Sequence, residues 1–174
     1  INLLKQVGIS NHDSFCIFHP GARIYDRLES WKFAELADRV FELYNLKILF
    51  TWGPGQKELV DQIIPKIKTA PFALLSTNLQ ELGAVTLKAQ FVVCHNGGYM
   101  HMASVLGTPV VALFGVVHPR VWKPLGQRDI VIYKNIECSP CNEHTRKPEC
   151  YDGDAECKRV IEVEDILKAV EQIL

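Results

Sequence analysis

Apolar residues fall along this chain in short unbroken runs, separated by longer segments with a helical period. The runs cover residues 15–18, 47–51, 72–75, 91–94, 110–114 and 130–133, each bounded by glycine, proline or polar residues. Most are apolar throughout rather than alternating, which predicts strands of a parallel sheet covered on both faces. Between the first two runs, Phe33, Leu36, Ala37, Val40 and Tyr44 recur at helical spacing on one face. The same period predicts helices over 56–67, over 79–88 with Asn78 as N-cap, and over 100–106 ended by Gly107. A last helix carries Val163, Ile166, Leu167, Val170 and Leu174 on one stripe.

Strands alternating with helices through short connections imply right-handed βαβ units, hence an α/β fold with a Rossmann-like, doubly wound parallel sheet. No repeat, linker or low-complexity stretch interrupts the pattern. Sheets of this kind bind ligands in the crevice beyond the carboxyl ends of their strands, so the loops after the strands are where chemistry is expected.

Composition narrows the classes. At 174 residues, 48% hydrophobic and 22% charged, the chain fits one folded domain with a real core. Nineteen basic against 20 acidic side chains leave a net charge of −1, without a broad footprint for nucleic acid or an anionic membrane. The longest apolar runs, such as 109–114, are far too short to span a bilayer. Residues 1–8 lack the basic start, apolar stretch and cleavage site of a signal peptide, which predicts a cytoplasmic protein unless a longer parent carries the address.

The loop after the fourth run reads Cys94-His-Asn-Gly-Gly-Tyr-Met-His101 and enters a helix. Two glycines at a helix N-terminus let a phosphate approach backbone N–H groups, where the helix dipole also favours negative charge. The plain alternative is a tight turn that needs positive φ. His101 would lie one turn into that helix on the loop side, either facing a ligand or packed. The first loop, Phe18-His-Pro-Gly-Ala-Arg-Ile-Tyr-Asp-Arg27, adds two cations, Arg23 and Arg27, either of which could offset a diphosphate through bidentate contacts. Thr51-Trp-Gly-Pro-Gly-Gln-Lys-Glu58 puts Glu58 where a dinucleotide fingerprint needs its last glycine, and no GxxxxGK[ST] loop occurs. Dehydrogenase and P-loop kinase readings therefore lose support.

Residues 92–115, Val-Val-Cys-His-Asn-Gly-Gly-Tyr-Met-His-Met-Ala-Ser-Val-Leu-Gly-Thr-Pro-Val-Val-Ala-Leu-Phe-Gly, resemble the signature of the ADP-heptose:lipopolysaccharide heptosyltransferase family. That signature is an Asp-x-Gly-x-x-His segment followed by Leu-Gly-Thr-Pro-Val-Val-Ala-Leu-Phe-Gly. The resemblance extends to His19-Pro-Gly-Ala22, residues 33–38, His118-Pro119, Trp122, Pro124, Gly126 and Cys138-Ser-Pro-Cys141, so it covers nearly the whole chain.

It implies a GT-B glycosyltransferase, with two Rossmann-like domains facing a cleft and the nucleotide-sugar donor bound mainly by the C-terminal one. The residues match that C-terminal half. Residues 1–12 are then an interdomain linker remnant, 13–174 the donor-binding domain, and the N-terminal acceptor domain is absent together with its catalytic aspartate. No catalytic residue is expected in this chain and no turnover by it alone. The implied reaction moves heptose from ADP-heptose to the lipopolysaccharide inner core, with inversion and without metal or other cofactor. It would run in the cytoplasm, free or peripheral at the inner membrane face. Backbone N–H groups of Gly97, Gly98 and Tyr99, with Arg27, would hold the donor diphosphate. Asn96 and His101 would meet the donor sugar, and Glu58 the nucleoside.

The sequence departs from the family where its aspartate becomes Asn96 and its Thr/Ser and Pro become Gly97 and Tyr99. Asparagine keeps an acceptor but loses the charge, which bears on the donor sugar. Cys138, Cys141, Cys150 and Cys157, with His144 among them, form one pair of zinc-knuckle spacing and a second too widely spaced for it. Reduced thiols packed in a loop are expected in preference to a structural zinc. Two other classes remain: another GT-B transferase or sugar-nucleotide epimerase, and a non-catalytic α/β nucleotide-binding module.

Overall fold

The computed structural model describes residues 2–141, 147–151 and 153–174. Among them, the six predicted runs appear as β1 (Phe15–His19), β2 (Lys47–Phe50), β3 (Phe72–Leu74), β4 (Val92–His95), β5 (Val110–Leu113) and β6 (Ile130–Ile132), each within one residue of expectation at either end. They form one sheet in the order β3-β2-β1-β4-β5-β6, with every neighbouring pair parallel. The helices are α1 (Asn2–Gln6), α2 (Ser30–Tyr44), α3 (Lys57–Ile63), α4 (Leu79–Thr86), α5 (Gly98–Val105), α6 (Pro119–Trp122), α7 (Pro148–Tyr151), α8 (Glu156–Arg159) and α9 (Val163–Ile173). This is the Rossmann-like, doubly wound architecture that the pattern implies.

Strand side chains alternate between faces, and both faces are dry. Cys16, Phe18, Ile48, Phe50, Val93, Val111 and Leu113 pack against α2, α3 and α9. Phe15, Ile17, Leu49, Val92, Cys94, Val110 and Ala112 pack on the opposite side, with Leu4 of α1, Val85 of α4, and Met100 and Ala103 of α5. Two cores explain why the runs are apolar throughout.

Local chemistry sets the helix ends. α2 buries Phe33, Leu36, Ala37 and Val40 and stops at Asn45, which adopts the left-handed conformation (φ 52°). Asn78 and Glu81 form a reciprocal capping box on α4. The helix expected over 56–67 is shorter: after α3 the chain tightens into a 3-10 turn, Ile64–Lys66, because Pro65 has no N–H to continue the ladder. α5 begins two residues earlier than expected, at Gly98, and Gly107 (φ 82°) follows its end. The stripe of α9 closes on buried Ile173, while Leu174 lies past the helix and is exposed. α6, α7 and α8 have four residues each, too few to show a period.

Residues 1–12, expected as a linker, contain α1, and Leu4 and Ile9 are buried in the core. Buried Lys32 donates to the carbonyls of Arg159 (2.5 Å) and Ile161 (2.9 Å), holding the α8–α9 turn against α2. Among the described residues, no helix is long and apolar enough to cross a membrane.

Candidate functional site

β1 and β4 are neighbours in the sheet, but the chain leaves them in opposite lateral directions, toward β2 and β5. A crevice must open beyond their carboxyl ends at such a switch point. The structure has one there, of about 610 Å³, lined by the loops after β1, β2, β4 and β5.

The β4 loop supplies the floor. Gly97 is extended (φ 162°) and Gly98 opens α5, so neither backbone requires glycine. A Cβ at either position would meet nothing within 4 Å. The positive-φ turn is thereby set aside, and what the two glycines provide is open space above the first N–H groups of a helix. Those groups have no partner within the helix and carry its positive dipole end. Tyr99 follows, with its hydroxyl 3.0 Å from Thr86 Oγ1 and its ring 4.3 Å from that of His19. Burial pushes the Tyr99 phenol up, so its hydroxyl stays neutral. Tyr99 thus packs its side chain against His19 and Thr86, and the residue borders the crevice.

Two histidines lie beneath. His19 ends β1, pairs through Nδ1 with Thr51 Oγ1 at 2.9 Å, and is lowered to about 4 by burial. His95 ends β4, and burial, followed by the Lys158 charge, holds it well below the ordinary histidine range. Both imidazoles are neutral near pH 7. Asn96 and His101 line the same crevice, and Asn96 Oδ1 is buried without a hydrogen-bond partner.

The cationic position differs from expectation. Arg27 donates from Nε to the Ala22 carbonyl (3.0 Å) and borders a separate hollow with Pro20, Leu28 and Phe33. Arg23, four residues earlier and exposed, lines the crevice instead. The intervening 3-10 turn, Ile24–Asp26, separates the two arginines. Glu58 is likewise not brought to the site: it is exposed in the first turn of α3. Gln56, just before that helix, lines the crevice, and its amide reaches toward the Ala22 carbonyl (3.4 Å). His95, Asp26 and Trp122 also border the space. Trp122 belonged to the matching downstream motif, whereas His95 and Asp26 carried no local signal.

The cysteine loop packs behind this wall. Cys141 N–H donates to the Val116 carbonyl (3.0 Å), and the Ser139 hydroxyl donates to the Gly115 carbonyl. Cys138, Cys141, Cys150 and Cys157 carry free thiols, and burial pushes Cys157 up to about 11. Among the described residues, no three His, Cys, Asp or Glu side chains are grouped so as to hold a metal ion; His144 lies outside those residues.

The crevice thus joins an open helix N-terminus and the Arg23 cation with neutral polar groups, an arrangement that suits an anionic ligand. Residues 5–152 match the sequence model of glycosyltransferase family 9 (heptosyltransferase). The chain belongs to this family. Lipopolysaccharide heptosyltransferase 3 of Escherichia coli K12 is 26% identical over 178 residues, covering 98% of this chain and 49% of that protein. The structure of a family 9 glycosyl transferase from Veillonella parvula is 25% identical with a TM-score of 0.80, over 99% of this chain and 49% of its own. ADP-heptose lps heptosyltransferase II of E. coli shares the fold, with a TM-score of 0.82 at 21% identity over 99% of this chain and 50% of its own. The chain therefore spans about half the length of these proteins.

Proposed function

We propose that this chain is the donor-binding half of a heptosyltransferase, holding ADP-heptose for inverting, metal-independent transfer to the lipopolysaccharide inner core. The observation that carries the reading is the open pair Gly97-Gly98 at the start of α5, facing the switch-point crevice in a chain of the heptosyltransferase family. Residues 13–174 form the donor domain in this account. The acceptor site and the general base belong to a facing half, and the reaction runs on the cytoplasmic side, where the sugar nucleotide is available.

The chemistry follows from the donor. As the bond to the sugar breaks, negative charge grows on the departing ADP. Fixed N–H groups at Gly97, Gly98 and Tyr99 stabilise that charge without reorganising, and Arg23 rather than Arg27 supplies the cation. Asn96 and His101, on the same loop and helix, meet the sugar. Gln56 takes the nucleoside position in place of Glu58, since it is Gln56 that borders the space.

A nucleotide panel read by calorimetry tests the reading. ADP should bind these 174 residues with a Kd on the order of 0.1–1 mM, about −4 to −5.5 kcal/mol, since this half supplies one wall of the cleft. UDP should bind more weakly. A preference for UDP, or no affinity for either, would remove the proposal.

A further inference from the structure

We propose that His95 is a donor-positioning residue whose Nδ1–H is a neutral hydrogen-bond donor kept for an oxygen of the bound nucleoside diphosphate. The inference rests on the reading of the crevice as an ADP site.

Three observations fix the state of this ring. The backbone N–H of Leu28 donates to His95 Nε2 at 2.9 Å, so Nε2 carries a lone pair and the proton of the neutral ring must sit on Nδ1. Charging the ring is opposed by burial, with the residue only 3% exposed, and by the positive fields of Lys158 and Arg27. Finally, Nδ1 is buried without a hydrogen-bond partner, while His95 borders the crevice. The Gly21 carbonyl favours a proton on the ring, but its geometry is too poor to complete the hydrogen bonding of Nδ1–H.

A buried donor without a partner is costly, and proteins keep few of them. Here the neighbouring group along the chain, Asn96 Oδ1, is also unpartnered and borders the same space. Two orphaned polar groups on consecutive residues, beside the open helix start, mark a place where a polar ligand completes the hydrogen bonding. A diphosphate oxygen, which can only accept, suits an N–H donor. Because Leu28 holds the opposite edge of the ring, ligand binding at Nδ1 is also linked to the loop after β1 that carries Arg23.

The test is nitrogen-15 NMR of the histidine rings in the full chain, titrated with ADP, together with two variants. The free protein should show a protonated Nδ1 and an unprotonated Nε2, and ADP should move the Nδ1–H resonance downfield. His95→Gln, whose carbonyl can still accept from Leu28, should keep the thermal midpoint near that of the parent and weaken ADP about tenfold. His95→Asn keeps a donor near the Nδ1 position but loses the Leu28 contact; it should be less stable yet bind ADP more tightly than His95→Gln. If ADP shifts the amides of 97–102 while the Nδ1–H resonance stays still and His95→Gln binds as well as the parent, the inference fails and the crevice reading stands. If ADP moves no amide there, both fail.

Discussion

Lys158 Nζ lies 2.9 Å from Asp26 Oδ1, with the two side chains 1% and 6% exposed, joining α8 to the loop after β1 at the edge of the crevice. Lys158 also donates to the Leu113 carbonyl at the end of β5 (2.9 Å), so one ammonium ties three segments together. Burial pushes the Asp26 carboxyl up, and the Lys158 charge opposes that shift. Removing one partner of a buried pair leaves an uncompensated charge, whereas removing both is often tolerated. Lys158→Met should therefore lower the unfolding free energy by about 3–5 kcal/mol, and adding Asp26→Leu should restore most of the loss. Urea unfolding of the two proteins decides, and an equal loss in both would show that the pair is not coupled.

The histidines make stability depend on pH. His19 falls from an ordinary 6.5 to about 4 because burial disfavours its charged form, and His95 shifts in the same direction. A histidine depressed in the fold binds its proton more readily when unfolded, so its contribution is complete above about 6.5. It is lost as pH falls from there toward 4, by about 3 kcal/mol for His19 alone. Thermal midpoints measured between pH 7.5 and 4.5 should fall steadily below 6.5. In His19→Gln that dependence should be shallower, and an unchanged slope would deny the buried neutral state of His19.

Side chains placed on two of the glycines should separate binding from folding. At Gly98 a Cβ meets nothing within 4 Å, so Gly98→Val should fold normally and fill the space where the diphosphate approaches. ADP affinity should fall at least tenfold, with the thermal midpoint changed by only a few degrees. At Gly115 a Cβ would come 2.8 Å from Cys157 Sγ and 2.9 Å from Lys158 Cε, so Gly115→Ala should destabilise by about 1–3 kcal/mol. A Gly98→Val protein that binds ADP as the parent does would remove this helix start from the site.

The contrast between Arg23 and Arg27 shows what the sequence could and could not convey. Strands such as Val110–Leu113 were legible because burial on both faces demands uninterrupted apolar residues, and Asn78 was legible because a capping box is local. The glycine pair and His101 were placed by their position after a strand, and they do border the crevice. Which arginine faces the crevice is decided by a single 3-10 turn, and a hydrogen bond to the Ala22 carbonyl draws Arg27 aside. Glu58 lies outside the crevice for a similar reason, since the start of α3 at Lys57 leaves Gln56, not Glu58, at its edge. His95 and Lys158 gave no local sign, because their roles depend on contacts with Leu28 and Asp26, which are distant along the chain.

The most direct test of the central claim is to titrate the nitrogen-15-labelled chain with ADP and follow its amide resonances. Binding at the crevice predicts that the largest shifts fall at residues 97–102, with smaller ones at Arg23 and Gln56. Largest shifts around residues 138–157 would contradict it.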